Sequence, residues 1–138
     1  DGMQVRDWVY VEDHCRAIRA VLLHGKEGEI YNIGADQERP NLQIAQLILE
    51  LLDKPRDLIR RVADRPGHDR RYSLDSSKTK ALGWQPAVPL EEGMRRTVEW
   101  YRTNRWWWEK IKSGEFLRYY REHYDRRLAE STALDEGT

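Results

Sequence analysis

Residues 4–13 read Gln-Val-Arg-Asp-Trp-Val-Tyr-Val-Glu-Asp. From Gln4 to Val11 the side chains alternate, with Val5, Val9 and Val11 on one face and Arg6, Trp8 and Tyr10 on the other. A period of two in β-branched and aromatic residues predicts a short strand. Glu12 and Asp13 then supply the acidic first turn of a helix. Cys15, Ile18, Val21 and Leu22 form its apolar stripe and Gly25 its stop.

The same alternation of elements continues outward. Gly28 leads into Glu29-Ile30-Tyr31-Asn32-Ile33, read as a second strand ending at Gly34, and Ala35 to Arg39 reads as polar loop. Pro40-Asn41 opens a helix with Leu42, Ala45, Ile48, Leu49 and Leu52 on its apolar face, closed by Pro55. Leu58 to Val62 is expected as a third strand. A short helix capped by Asp75 or Ser76 ends at Gly83, and Trp84 to Pro89 is extended because its prolines disfavour helix before them. Leu90, Met94, Val98, Tyr101, Trp108 and Ile111 predict one long helix reaching Ser113-Gly114, and Phe116, Tyr120 and Tyr124 a last one over 115–128. Residues 1–128 are expected to form the domain and 129–138 a disordered tail, since Thr132 to Thr138 has nothing to bury. Strands separated by helices imply parallel pairing through crossovers. Three short strands make a poor independent sheet, so Glu29 to Ile33 is expected to pair with a sheet lying beyond this chain. A turn-like Asp1-Gly2 running almost at once into a strand likewise suggests a piece of a longer protein.

The chain has 138 residues, one domain's worth, with 24 Lys plus Arg against 24 Asp plus Glu. That balance argues against nucleic acid or an anionic membrane as a partner held by bulk charge. Mean hydropathy is -0.89, which makes for a thin core. Yet 6 Trp and 7 Tyr are too much packing material for a disordered segment. The single cysteine, Cys15, excludes an internal disulfide framework and multi-cysteine metal clusters, and is expected as a small buried hydrophobe. Without an apolar run long enough to span a bilayer or a signal-peptide pattern, the expected location is cytoplasmic.

The chemically richest stretch is Asp64-Arg65-Pro66-Gly67-His68-Asp69-Arg70-Arg71-Tyr72. Pro-Gly fixes a tight turn, which holds Arg and His side chains on a stiff loop. Forked guanidiniums with little ordering cost suit a diphosphate. Charge pattern alone slightly favours a solvated loop in which Asp64 and Asp69 neutralise Arg65, Arg70 and Arg71. Arg6 could face a cleft or pair with Asp7 or Glu12. Asn41 reads as a helix N-cap, at a helix end that could also bind an anion. His14 and Cys15 point to different helix faces, and His24 and His123 lack partners at metal-ligand spacing. Trp106-Trp107-Trp108 covers most of a helix circumference, so one or two of the three should pack inward or against a partner. The sequence holds no Gly-x-Gly-x-x-Gly, no Tyr-x-x-x-Lys and no nucleophile elbow, hence no catalytic acid, base or nucleophile of its own.

Val5 to His14, Tyr31-Asn32-Ile33-Gly34, Asp64 to Tyr72, Leu82-Gly83-Trp84, Thr97 to Tyr101 and Ser113-Gly114 together resemble the dTDP-glucose 4,6-dehydratases of the extended short-chain dehydrogenase/reductase superfamily. The likeness runs to about Tyr124, and its sharpest block is Asp64 to Tyr72. It implies an α/β fold of few short strands and several helices: the C-terminal, nucleotide-sugar-binding portion of such an enzyme. NAD and the Tyr-x-x-x-Lys pair would lie in an N-terminal Rossmann domain. The resemblance implies a lyase that oxidises the sugar at C4 with NAD, eliminates water across C5 and C6 and returns the hydride to C6. It also implies a full-length homodimer, while the portion alone would be inactive and could self-associate. Carried over by position, Arg6, Asn41, Asp64, Arg65, Pro66, Gly67 and His68 would hold the dTDP-sugar, with Arg6 and Arg65 on the diphosphate and Asn41 and His68 on the nucleoside. The alternatives are another nucleotide-sugar epimerase, dehydratase or decarboxylase, or a stand-alone interaction or single-strand nucleic-acid module built on the Arg and Trp residues.

Overall fold

The computed structural model of the protein describes residues 1–112, 114–121 and 124. Strand β1 (Val5–Asp7) is followed by helix α1 (Val11–His24), strand β2 (Glu38–Pro40) and helix α2 (Asn41–Leu51). A 3-10 turn at Arg56–Leu58 and strand β3 (Arg71–Tyr72) precede four helices: α3 (Ser77–Lys80), α4 (Leu90–Thr103), α5 (Arg105–Lys112) and α6 (Glu115–Tyr120). The expected α/β class, with few short strands and several helices, is what folds.

The sheet has the order β2-β1-β3. β3 lies parallel to β1, with Val5 opposite Arg71 and Arg6 opposite Tyr72. β2 lies antiparallel, with Val5 opposite Pro40 and Asp7 opposite Glu38. Both flanking strands come from segments read as loop, being polar and two or three residues long. Of the predicted strand over 4–11 only Val5–Asp7 joins the ladder, because the chain leaves the sheet at Trp8 to begin α1 at Val11.

Two further predicted strands do not form. Residues 58–62 follow the 3-10 turn without a ladder, and residues 29–33 run with no strand partner among the described residues. In the latter, carbonyls are taken by side chains instead: Lys78 Nζ donates to Ile30 O at 2.9 Å and the Thr79 hydroxyl to Asn32 O at 2.5 Å. Ile30 is 81% exposed. The expected long helix is broken at Asn104 (φ -112°, ψ 44°), whose Nδ2 turns back to Trp100 O at 2.9 Å. Phe116, Tyr120 and Tyr124 meet in sequence, with ring centroids 6.2 and 5.0 Å apart. The predicted tail over 129–138, and most of 121–128, lie outside the described residues.

The core is small: among the described residues Ala17, Ala35, Ile44, Trp84, Leu90 and Val98 are its buried hydrophobic members. Helix α1 buries Asp13 and Ala17 rather than its apolar stripe, so Ile18, Leu22 and Leu23 are exposed. Cys15 is exposed too, contrary to expectation, because it lies on that outward stripe. Asp13, 1% exposed, is the anchor in its place. Its Oδ2 accepts the Ala87 and Val88 N–H groups, each at 2.9 Å, and Arg16 donates to Oδ1. Its main-chain carbonyl accepts the Trp84 indole N–H at 3.0 Å. Burial pushes this carboxyl up, but the Arg16 hydrogen bond and the Val88 and Ala87 N–H donors outweigh it and hold the group below its ordinary 3.8.

Asp13→Ala leaves two backbone donors facing a cavity and is expected to cost about 3 kcal/mol in a denaturant titration. Because the folded pKa is depressed, the wild-type contribution is complete above 3.8 and fades as pH falls through the lower folded value. The gap between wild type and variant should therefore close in acid.

Candidate functional site

The site grows from one face of β1 and the loop that returns to pair with it. In a strand neighbouring side chains point to opposite faces, so Arg6 and Asp7 diverge. The Asp7 carboxylate accepts backbone N–H groups of Ala35 (2.9 Å), Asp36 (3.3 Å) and Gln37 (2.8 Å). It is therefore not the partner of Arg6, and neither is Glu12. The Arg6 guanidinium donates from Nη1 to Val5 O at 2.7 Å and from Nη2 to Asp69 O at 3.0 Å. Nη2 also faces His68 Nε2 at 3.2 Å, and the guanidinium carbon lies 4.6 Å from the Tyr72 ring centroid.

The loop turns at Pro66-Gly67, where Gly67 takes φ +68°. Across the turn the His68 N–H donates to Arg65 O at 3.3 Å. Asp64 holds the loop from within: Oδ1 faces His68 Nδ1 at 2.6 Å and accepts the Arg65 N–H at 2.9 Å, while Oδ2 accepts Gln4 Nε2 at 2.9 Å. The His68 hydrogen bond is the main reason the Asp64 carboxyl lies below its ordinary value, with the Arg65 N–H and Gln4 adding to it against a smaller opposing effect of burial.

The other charges of the loop are matched, but at long range. Arg70 pairs with Asp1 at 2.8 Å and Arg71 with Glu38 at 2.6 Å, and the Tyr72 hydroxyl donates to Asp69. Asp69 is the chief cause of a raised Tyr72 phenol pKa, while Arg6 and Arg65 both pull it down, so both guanidiniums act on this ring. The Arg65 guanidinium forms no hydrogen bond or ion pair among the described residues. The solvated-loop alternative thus holds for Arg70 and Arg71 through other partners, and fails for Arg65.

Asn41, Asp64 and His68 line one cleft of about 490 Å³, together with Gln4, Leu42 and Ile59. Arg6 touches His68 from outside this lining, and Arg65, Pro66 and Gly67 belong to the loop rather than to the wall. Asn41 is the first residue of α2, not its cap: Pro40 occupies the cap position and no side chain caps it. The Asn41 and Leu42 N–H groups donate to Gln4 O (2.9 Å) and Gly2 O (2.8 Å). This helix end is therefore largely satisfied by the chain, and the cation for an anion must come from the arginines. Gln4 was missed by sequence reasoning; its only signal is that the alternation puts it on the face of Arg6.

A larger cleft of about 670 Å³ lies elsewhere, between Trp8, Tyr10, Leu90, Met94, Trp100 and Tyr101, and contains none of the expected site residues. In the tryptophan run, Trp106 and Trp107 are exposed, while Trp108 donates its indole N–H to Tyr101 O at 2.9 Å. Among the described residues no group of three His, Cys, Asp or Glu could hold a metal ion, and no helix is long and apolar enough to cross a membrane. Nor do these residues fit a dinucleotide. The chain has no Gly-x-Gly-x-x-Gly, and the N-terminal turns of α1 and α4 carry Glu12, Asp13, Glu91 and Glu92, which repel a pyrophosphate.

The family model for GDP-mannose 4,6 dehydratase matches residues 1–97. The chain is 50% identical over 126 residues to a dTDP-glucose 4,6-dehydratase of Xanthomonas campestris pv. campestris, covering 84% of this chain and 36% of that protein. It is 46% identical over 134 residues to dTDP-glucose 4,6-dehydratase 1 of Escherichia coli K12, covering 91% and 37%. It superposes on the crystal structure of dTDP-glucose 4,6-dehydratase from Bacillus anthracis str. Ames in complex with NAD, with TM-score 0.75 and 44% identity over 81% of this chain and 36% of that one. The chain spans about a third of the length of the curated relatives it matches.

Gly67→Ala meets no atom within 4 Å, so its cost is backbone strain alone, about 1–2 kcal/mol. The expected result is faster amide exchange confined to residues 64–72, with exchange in α2 and α4 unchanged.

Proposed function

Because the chain belongs to the GDP-mannose 4,6 dehydratase family of the extended short-chain dehydrogenase/reductase superfamily, we propose that it is the nucleotide-sugar-binding portion of an NAD-dependent dTDP-glucose 4,6-dehydratase. The observation that carries the reading is the pairing pattern around Pro66-Gly67. Of Arg6, Arg65, Arg70 and Arg71, the last two are neutralised by Asp1 and Glu38, while Arg6 rests on carbonyls and an imidazole and the Arg65 guanidinium has no hydrogen bond or ion pair among the described residues. Two guanidiniums without carboxylates, beside a cleft walled by Asn41 and His68, are what a nucleoside diphosphate requires.

In this reading Arg6 and Arg65 take the diphosphate, Asn41 and His68 the nucleoside, and Asp64, Pro66 and Gly67 keep the loop in place. Ligand oxygens replace water around the guanidiniums without first breaking a salt bridge, which keeps the ordering cost low. The dinucleotide falls to a Rossmann domain of the full-length enzyme, with the redox and proton-transfer groups. That domain supplies the cover for Ile18, Leu22 and Ile30 and a strand partner for residues 29–33. The working enzyme is a cytoplasmic homodimer, and this portion has no turnover by itself.

The test is made in the full-length enzyme. Arg65→Ala should raise the KM for dTDP-glucose roughly 10- to 100-fold, the equivalent of about 1.5–3 kcal/mol for a charge-assisted contact, with a smaller change in kcat. An unchanged KM would remove Arg65 from the site. Thymidine diphosphate should compete more strongly than uridine diphosphate; the reverse order would favour an epimerase acting on UDP-sugars.

A further inference from the structure

Gln4 touches two parts of the cleft at once. Its side-chain Nε2 donates to Asp64 Oδ2, and its main-chain carbonyl accepts the Asn41 N–H, both at 2.9 Å. It is buried, 6% exposed, at the start of the strand that carries Arg6. From its amide a continuous line of contacts runs through Asp64 and both ring nitrogens of His68 to the Arg6 guanidinium.

The protons along this line are fixed by its two ends. A guanidinium has only donors, so the nitrogen it addresses, His68 Nε2, must present a lone pair. A carboxylate has only acceptors, so the nitrogen it addresses, His68 Nδ1, must carry the hydrogen. This geometry calls for an imidazole that carries its hydrogen on Nδ1 and offers Nε2 as acceptor. Asp64 can impose that tautomer only while its own orientation is fixed, and the Gln4 amide is the group that grips its second oxygen. A rotated Asp64 would leave the imidazole to flip or change tautomer, and an Nε2–H would then point at Arg6, donor against donor.

Resting on the reading of this cleft as a nucleoside-diphosphate site, we propose that Gln4 is a positioning residue for Arg6, acting through Asp64 and the Nδ1–H tautomer of His68. Arg6 then stands at a fixed place before ligand arrives, with three of its five N–H donors held by Val5 O, Asp69 O and His68. The remaining two are directed by the same restraint.

The test reads the tautomer itself. Long-range proton–nitrogen correlation spectra of protein labelled at its 4 histidines separate Nδ1–H from Nε2–H imidazoles. Wild-type His68 is expected in the Nδ1–H form. Gln4→Met, which keeps the side-chain length and deletes the donor, should convert it to a mixture and weaken thymidine diphosphate binding about 5- to 10-fold, the loss of one hydrogen bond's worth of restraint. Asp64→Asn, which turns one acceptor into a donor, should perturb the same resonances, and serves if Gln4→Met does not fold. Wild-type His68 in the Nε2–H form, or a tautomer indifferent to both variants, would overturn the proposal. A full-length wild-type enzyme that does not bind thymidine diphosphate would instead overturn the proposed function, while the spectra still decide the relay.

Discussion

The Asp7 carboxylate gathers three consecutive backbone N–H groups, those of Ala35, Asp36 and Gln37. Much else follows from that contact. It fixes the bend that delivers Glu38–Pro40 to the edge of β1, and with it the start of α2 and Asn41. It also explains Gly34, where an added Cβ would stand 2.6 Å from the Asp7 carboxylate. Most importantly it removes the nearest acidic partner from Arg6. Adjacent strand residues face opposite ways, so a carboxylate committed to one side of the sheet leaves the guanidinium beside it to the other. A cationic site next to an aspartate survives because the aspartate is occupied.

The same logic governs the loop. Its formal charges nearly cancel in sequence, and cancellation within the loop would have produced a neutral surface feature. Instead Arg70 reaches Asp1 and Arg71 reaches Glu38, which pins the far end of the loop to the N-terminus and to β2. Asp64 turns inward to His68 and Gln4, and Asp69 to Tyr72. What is left over is Arg65 and the two uncommitted donors of Arg6, both guanidiniums acting on the Tyr72 ring. Exposed ion pairs contribute little to stability; here their role is one of distribution, deciding which arginines are available.

That distribution also marks the boundary of what could be read from the chain. Helices α1, α2 and α3 were legible because their starts and stops are local: the acidic first turn of α1, Pro40, Gly25 and Gly83. The Pro-Gly turn was legible in kind. Which arginine pairs with which acid was not, since the partners lie 69 and 33 residues apart. β2 and β3 were invisible because a two- or three-residue polar edge strand has no periodicity to detect. Conversely, residues 29–33 and the stripe Cys15, Ile18 and Leu22 carry the right pattern but find nothing to pack on among the described residues. Pattern reports a surface's need for burial, and only a partner can satisfy it. The break at Asn104 is a third kind of miss, a polar residue whose side chain competes for the Trp100 carbonyl and ends the helix.

The cationic corner and the bare apolar face have different owners. The cationic corner is made by β1, the start of α2 and the loop to β3; the bare apolar stripe belongs to the outward face of α1 and to Ile30. No residue serves both. The geometry of the corner therefore depends on hydrogen bonds internal to this segment, while cover over α1 would depend on apolar area. The two respond to different perturbations: salt and charge substitutions act on the first, and truncation of Ile18 or Leu22 on the second. Within the small core, Asp13 links them mechanically, since it roots α1 to residues 87 and 88, and α4, which begins at Leu90, packs against α2. A buried carboxylate with both oxygens hydrogen-bonded transmits position without adding apolar mass, which suits a helix whose apolar stripe faces outward.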